Sequence, residues 1–390
     1  MLGKIIVSLA CAVAAASAGA APHIPASGAE VLERLPGGLD PARRQLQGLR
    51  TALAADPHKL GLATTLAQRY IEQSRRDGDP RYLGYAQAAL APWWNQAQPP
   101  SSVLVLRATL RQSTHQFGPA LADLDTVLKR DSGNAQAWLT RATVQLITGD
   151  FAGARTSCMR LYSRAPELVV QACLANVGSV SGQAGASYER LRQTYVARAD
   201  SPAALRAWVA TLLGEMAARL GRLDAAEAHY REALALDPQD SYLLGAYADF
   251  LLERGRSPEV IALLKDKTQA DALLLRYAIA LKTAGRPDAA RATAELAARF
   301  DAAMRRRDSV HQREQARFEL DLRGDAAAAV RLAKLNWAVQ KEPADLRILA
   351  QAALASGDGE ARALVRAWIK NSRIEDASLA AALARLGSAA

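Results

Sequence analysis

Apolar side chains recur along most of this chain at intervals of three and four residues. A representative stretch places Val209, Leu212, Leu213 and Met216 at i, i+3, i+4 and i+7, with small or polar residues between them. That spacing puts the apolar side chains on one face of an α-helix. Tracts of alternating β-branched residues, which a sheet requires, are absent from the sequence. The pattern therefore predicts a protein built from packed amphipathic helices.

A repeated unit organises these helices, and its clearest copy is residues 207–240. Small residues recur where two helices have to approach closely, and a large residue fills the space between neighbouring helix pairs. Glycine allows the tight turn between the two helices, and proline ends the second helix. In chain order the residues that carry the pattern are Leu213, Gly214, Gly221, Ala226, Tyr230, Ala233 and Pro238.

The same pattern returns in phase along the chain. Residues 135–168 carry Trp138, Ala142, Gly149, Ala154 and Pro166 at equivalent positions. Agreement in register at this spacing distinguishes a repeat from a run of unrelated alanine-rich helices. Further copies, from stronger to weaker, are residues 101–134, 241–270, 271–304, 309–342, 343–374, 169–206 and 57–100.

The unit resembles the tetratricopeptide repeat, although Ala210 and Ala217 stand where tryptophan and tyrosine are usual. The resemblance implies an all-α, right-handed superhelical solenoid of antiparallel helix hairpins over residues 57–374. It places a lead and a first helix at 21–56 and a capping helix at 375–390, because a solenoid has to cover its last apolar face. In this family the first helices line a concave groove that binds peptides or proteins.

The resemblance also indicates which side chains face that groove. We expect Trp208 and Tyr242 to be its aromatic anchors, unless they only pack between adjacent hairpins. Replacing both with alanine is predicted to weaken partner binding at least about tenfold. The full set of groove positions is Gln136, Leu139, Thr143, Trp208, Thr211, Glu215, Tyr242 and Asp249.

The first 20 residues have the layout of a secretory signal peptide. Lys4 precedes an apolar stretch from Ile5 to about Ala16, and small residues suited to cleavage follow. We therefore expect an exported, soluble, periplasmic protein with no transmembrane span in the mature chain. The alternative is a lipoprotein acylated at Cys11, because Ser8-Leu9-Ala10-Cys11 resembles a lipoprotein cleavage box.

The net charge of +10 comes largely from arginines scattered beside acidic residues, which is typical of a solvated helical surface. The densest positive region contains Arg305, Arg306, Arg307 and Arg313. It is either a solvated helix or a contact surface for an anionic envelope partner. Export argues against a nucleic-acid partner despite the charge.

Motifs for catalysis or metal binding are absent from the sequence. No two of the five histidines have helical ligand spacing, and no phosphate-binding or nucleophile motif occurs. We therefore expect no enzyme activity, no cofactor and no metal. Cys158 and Cys173 fall on neighbouring predicted helices and are candidates for a disulfide in an oxidising compartment; the alternative is two buried small apolar side chains.

Two classes of function follow from these patterns. The first is a non-catalytic scaffold or adaptor that binds a protein or peptide partner during envelope assembly or secretion. The second is a carbohydrate- or peptidoglycan-associated envelope protein, with or without an enzyme site across several hairpins.

Overall fold

The computed structural model describes residue 27, residues 41–306 and residues 311–380. By its internal contacts the chain divides into two units, Met1–Gln45 and Leu46–Ala390. Of the first unit, the structure describes Ser27 and the start of one helix, so the predicted signal peptide and Cys11 lie outside the described residues. The helix hairpins and the candidate site lie in the second unit.

The described residues form helices throughout and no strand. A short π-helical turn, Phe318–Arg323, follows α17. The α-helices are α1 Pro41–Ala55, α2 Leu60–Asp77, α3 Arg81–Ala89, α4 Ala91–Trp94, α5 Ser101–Ser113, α6 Phe117–Arg130, α7 Ala135–Thr148, α8 Phe151–Met159, α9 Glu167–Ser179, α10 Ala184–Ala197, α11 Ala203–Arg219, α12 Leu223–Leu236, α13 Ser241–Glu253, α14 Ser257–Leu264, α15 Asp271–Thr283, α16 Ala289–Arg305, α17 Gln312–Arg317, α18 Ala326–Val339, α19 Pro343–Ser356 and α20 Gly359–Ser372.

Consecutive helices pack as antiparallel hairpins, which confirms the predicted all-α solenoid. Close contact depends on the small residues of the repeat. A Cβ atom on Gly214 would come within 2.9 Å of the Tyr230 ring, so glycine is what allows α11 and α12 to meet there. Ala226 and Ala233 of α12 are fully buried in the same contact. The hairpins are α2 with α3, α5 with α6, α7 with α8, α9 with α10, α11 with α12, α13 with α14, α15 with α16, α17 with α18, and α19 with α20.

Gly149 shows why the turn between the two helices of a hairpin requires glycine. Its φ of 87° lies in the left-handed region, which strains any residue with a Cβ atom. A Cβ atom there would also lie 2.6 Å from the Trp368 ring of α20. The glycine therefore serves both the α7–α8 turn and the contact with a distant hairpin.

The second unit turns back on itself, so that its last hairpins contact its middle ones. The Lys341 amide donates to the Ile147 carbonyl at 2.7 Å, and the Trp368 ring meets the Phe151 ring edge-on at 5.7 Å. At the other end of the array, the Ser241 hydroxyl donates to the Arg76 carbonyl at 2.8 Å. This return brings α17 and α19 opposite the concave face of the central repeats.

Departures from the regular repeat occur where the sequence pattern was weak. The first hairpin is extended by α4 after the Asp77–Pro80 insertion, and α17 continues as the π-helical turn before α18. Residues 381–390 of the predicted capping helix lie outside the described residues. Leu379, just before them, is 1% exposed in the last apolar cluster. No helix of the described residues is long and apolar enough to cross a bilayer.

Candidate functional site: a charged cavity on the concave face

A cavity of about 240 Å³ lies where the first helices of the central hairpins meet the returning α17 and α19. Its walls come mainly from α7, α9, α11, α13 and α15 on one side, and from α17 and the start of α19 on the other. Five acidic and five basic side chains line the cavity together with tyrosines and apolar residues. They are Glu215, Asp249, Glu253, Glu314 and Glu342, and Arg219, Arg276, Arg313, Lys341 and Arg347.

At one end of this cavity every carboxylate is held by arginine. Asp249 accepts from Arg276 and from Arg317, each at 2.5 Å. Burial alone would raise the pKa of Asp249, but the two guanidinium groups outweigh it and hold that pKa well below its usual range. Arg347 pairs with Glu253 and lies 3.6 Å from Asp376. We call Asp249, Glu253, Arg276, Arg317 and Arg347 the paired end.

At the other end, one arginine serves three carboxylates. Arg313 lies 3.1 Å from Glu314, 3.1 Å from Glu342 and 3.5 Å from Asp345. Burial and the neighbouring charge of Asp345 raise the pKa of Glu342 to about 7, and Arg313 opposes this shift only in part. Glu314 differs, because Arg313 and Arg276 overcome its burial and lower its pKa to about 2.

Tyr242 and Glu215 complete this second end. The Tyr242 hydroxyl donates to Glu215 at 2.7 Å, and the Tyr242 side chain is 56% exposed along the cavity wall. Among the described residues no cation forms an ion pair with Glu215, and burial raises its pKa. The charge of Glu215, followed by burial, raises the pKa of Tyr242. We call Tyr242, Glu215, Glu342 and Arg313 the Tyr242 end.

Two basic side chains beside the Tyr242 end have no carboxylate partner among the described residues. Arg219 is 8% exposed; its Nη2 donates to the Ser179 hydroxyl at 3.0 Å, but its buried Nε has no hydrogen-bond partner. The Nζ of Lys341 lies 4.8 Å from the centre of the Trp337 ring, and burial lowers the pKa of Lys341.

The structure brings three of the predicted groove residues together in this cavity: Glu215, Tyr242 and Asp249. Trp208 does not line the cavity; it is half-buried against the core cluster around α11 and α13. Thr211 is 5% exposed, and its hydroxyl donates to the Ala207 carbonyl of its own helix. The two predicted aromatic anchors therefore occupy different environments.

The predicted groove residues of α7 also lie outside the cavity lining. Gln136 is exposed at the start of the helix, and its amide donates to the Thr140 hydroxyl at 3.2 Å. Leu139 is half-buried beside the apolar cluster that contains both cysteines. Thr143 is half-buried, and its hydroxyl donates to the Leu139 carbonyl. The cavity is reached by Leu146, nearer the end of the same helix.

The predicted basic patch is divided between two environments. Arg305 and Arg306 are exposed at the end of α16, and Arg307 lies outside the described residues. Arg313 instead lines the cavity, where it pairs with the three carboxylates described above. Arg305 and Arg306 therefore lie in a different environment from Arg313.

Cys158 on α8 and Cys173 on α9 have their sulfur atoms at bonding distance. The S–S separation is 1.97 Å and the Cα atoms lie 5.6 Å apart. The bridge links one hairpin to the next. Asn176 and Val180, which line the cavity, lie within two turns of Cys173 on the same segment.

Several lining residues were missed by the repeat pattern. Glu342 and Arg347 belong to a hairpin whose repeat match is weak, and Arg219 lies at the end of α11, beyond the usual groove positions. The available signal was the charge of residues 341–347, KEPADLR, at a predicted helix start. Nothing in that signal shows that the segment returns to the central repeats.

The hairpins and their concave face define the class of protein as an α-solenoid. Tetratricopeptide repeat models match residues 105–168, 182–241 and 217–266. Residues 105–168 and 182–266 thus carry tetratricopeptide repeats, as the sequence motifs indicated. Repeats of this kind form concave surfaces used for binding, so a protein-interaction scaffold is the general role that they support.

Several solved structures are similar to this chain at low identity and with TM-scores below 0.5. A tetratricopeptide repeat protein from Parabacteroides merdae is 13% identical, with 73% of this chain and 98% of that chain covered and a TM-score of 0.37. The Rap conjugation gene regulator of the plasmid pLS20, solved with a Phr peptide, is 12% identical, with 84% and 96% covered and a TM-score of 0.45. Human IFIT1, solved as a dimer with PPP-AAAA, is 15% identical, with 90% and 87% covered and a TM-score of 0.47.

No curated protein matches this sequence. Within the described residues, no group of three or more His, Cys, Asp or Glu side chains has an arrangement that could hold a metal ion.

Proposed function

We propose that this chain is an exported, non-catalytic interaction module of the cell envelope, and that it binds part of a polypeptide partner in the concave cavity. The observation that carries the proposal is the Tyr242 end. There Tyr242 is 56% exposed in the cavity beside Glu215, which forms no ion pair among the described residues. Aromatic and charged groups that are kept available in a concave space are typical of recognition sites.

The size of the cavity limits what part of a partner it receives. Its volume is about 240 Å³. One or two side chains of a partner fit in that space, whereas a helix does not. The rest of the partner would contact the rim formed by the central hairpins and α19.

A site-specific photocrosslinker tests where the partner binds. Ala246 is suitable, because it lines the cavity on α13 and its replacement leaves Tyr242 intact. Position 231 is the control, since the Arg231 side chain is 65% exposed on α12 and is not part of the cavity lining. We expect one polypeptide adduct from position 246 and none from position 231. Equal labelling from both positions, or none from either, contradicts the proposed site; a murein adduct from 246 favours the carbohydrate-associated alternative.

Export is tested separately by sequencing the N-terminus of the protein isolated from cells. A start near Gly19 or Ala21 is the expected result, because the small residues suited to cleavage lie there. A start at an acylated Cys11 indicates a lipoprotein, and an intact Met1 on most molecules rules export out.

A further inference from the structure

We infer that the Tyr242 end binds an ammonium or guanidinium group that carries a nearby carbonyl or carboxylate oxygen, as lysine and arginine do. The inference rests on the proposed function for its choice of cavity, and it adds the chemical class of the ligand. Four features of the described residues carry it: a carboxylate without an ion pair, the exposed aromatic ring, a guanidinium group without a carboxylate partner and the size of the cavity.

The carboxylate without an ion pair is Glu215. Asp249 is held by two arginines at 2.5 Å, whereas Glu215 accepts from the Tyr242 hydroxyl and forms no ion pair among the described residues. Arg219 and Arg347 lower the pKa of Glu215 from a greater distance, but burial outweighs them and raises it. A ligand cation placed beside Glu215 would therefore gain Coulombic attraction.

Tyr242 supplies the second feature. Its hydroxyl is held by Glu215 at 2.7 Å, which restrains the ring, and its side chain is 56% exposed in the cavity. An ammonium or guanidinium group over an aromatic face is attracted by the ring quadrupole, by about 0.5–2 kcal/mol depending on desolvation. Carboxylates beside such a ring favour a cation over a neutral ligand.

Arg219 indicates that the ligand also carries an oxygen acceptor. It follows Glu215 by one helical turn on α11, where side chains four residues apart have Cβ atoms roughly 5–6 Å from each other. The two do not pair: Glu215 accepts from Tyr242, and Arg219 donates to Ser179. Arg219 lines the cavity and has no carboxylate partner among the described residues. Its guanidinium charge therefore favours an oxygen acceptor close to the ligand cation.

The volume agrees with a ligand group of this size. A cavity of about 240 Å³ is large enough for one amino-acid unit. The same chemistry is offered by a free basic amino acid and by a lysine or arginine within a polypeptide. These two sources differ in the charge of the α-amino and α-carboxyl groups, so small probes can separate them.

The test is calorimetric titration of the purified mature protein with four probes. L-Lysine carries both groups, Nα-acetyl-L-lysine amide reproduces a residue within a chain, cadaverine lacks the oxygen, and norleucine lacks the side-chain cation. We expect the better of the two lysine probes to bind at least about tenfold more tightly than cadaverine and norleucine. Stronger binding of the amide indicates a polypeptide source, and stronger binding of free lysine indicates a small molecule. Equal binding of norleucine, or no binding of any probe at millimolar concentration, overturns the inference.

Variants assign the effect to this end of the cavity. Glu342→Gln and Glu215→Gln are each expected to weaken binding of the preferred lysine probe at least about tenfold. Arg219→Met should reduce that probe to the affinity of cadaverine while leaving cadaverine unchanged. Unaltered affinities in these variants, with helix content preserved by circular dichroism, overturn the inference.

The matched control is Glu232→Gln. Glu232 accepts from Tyr195 at 2.6 Å and from Arg206 at 2.9 Å, so it is also a carboxylate paired with tyrosine, but it does not line the cavity. We expect no change in lysine binding from this variant, and an equal loss would count against the assignment. If the Ala246 crosslink forms while no probe binds, the inference fails and the proposed function stands. If both are negative, both fail.

Discussion

The two ends of the cavity contain the same residue types in different pairings. At the paired end, Asp249 has two arginines within 2.5 Å, and Arg347 joins Glu253 to Asp376. At the Tyr242 end, Arg313 is divided among three carboxylates and Glu215 accepts only from a tyrosine hydroxyl. Charges that pair between helices hold those helices together, whereas a carboxylate without an ion pair stays available to a ligand. The comparison separates structural from binding residues within one site.

The largest effect is expected from breaking the paired end. Asp249→Ala leaves Arg276 and Arg317 without their shared partner in a buried setting. Loss of one member of a buried ion pair costs about 3–5 kcal/mol. Urea denaturation should therefore show that loss for Asp249→Ala and less than about 1 kcal/mol for Glu215→Gln. If both variants lose the same stability, the two ends do not differ in role.

The disulfide is expected to stabilise the α9 wall of the cavity, which belongs to neither end. It closes a segment with a sequence separation of 15 residues, for which the chain-entropy model gives about 3 kcal/mol. Replacing Cys158 and Cys173 with alanine should lower the free energy of unfolding by about that amount. Thiol labelling of the denatured, unreduced mature protein checks the bridge directly. Two free thiols per chain would show that the bridge does not form in cells.

Trp208 and Tyr242 should separate stability from binding, because only Tyr242 lines the cavity. Trp208→Ala removes a half-buried ring from the core, at a cost of about 2 kcal/mol, below the ~3–5 kcal/mol of a fully buried ring. Its effect on partner affinity should be small. Tyr242→Ala should instead weaken binding about tenfold, or about 1.4 kcal/mol, with little change in unfolding. Binding titrations and denaturation curves of both variants test these two expectations. If Trp208→Ala weakens binding and Tyr242→Ala does not, the binding surface lies elsewhere.

The smallest effect is expected from pH, through Glu342. It faces Asp345, Arg313, Glu215 and Tyr242, and its pKa is raised from 4.5 to about 7. The folded state therefore keeps a proton that the unfolded state releases, so this group's stabilising contribution is lost as the pH rises from about 4.5 to 7. Binding of a cation should strengthen over the upper part of the same range, because it requires the ionised carboxylate.

Glu342→Gln provides the comparison for that pH dependence. Thermal unfolding at several pH values should show a shallower decline between about pH 4.5 and 7 in Glu342→Gln than in the unaltered chain. Ligand affinity in the variant should lose its rise near pH 7. Identical pH profiles for the two proteins would show that Glu342 does not titrate in this range.

Repeat residues explain how much of the fold could be predicted. Gly214, Tyr230 and Ala226 meet within one hairpin, so their spacing along the chain is enough to place them together. The same holds for Gly149, whose positive φ is required by a local turn. The positions of Tyr242, Glu215 and Asp249 on first helices also follow from the repeat, and all three line the cavity.

The sequence by itself thus determined the helices, their pairing and one wall of the cavity, because each depends on contacts within a hairpin or between successive hairpins. Only the tertiary structure decided which residues oppose that wall. Glu342 and Arg347 reach it because the small rotations between hairpins add up until α19 returns to the central repeats. The repeat pattern does not specify that accumulated rotation. The same return determines that Tyr242 lines the cavity, that Trp208 does not, and that Arg313 is divided among three carboxylates.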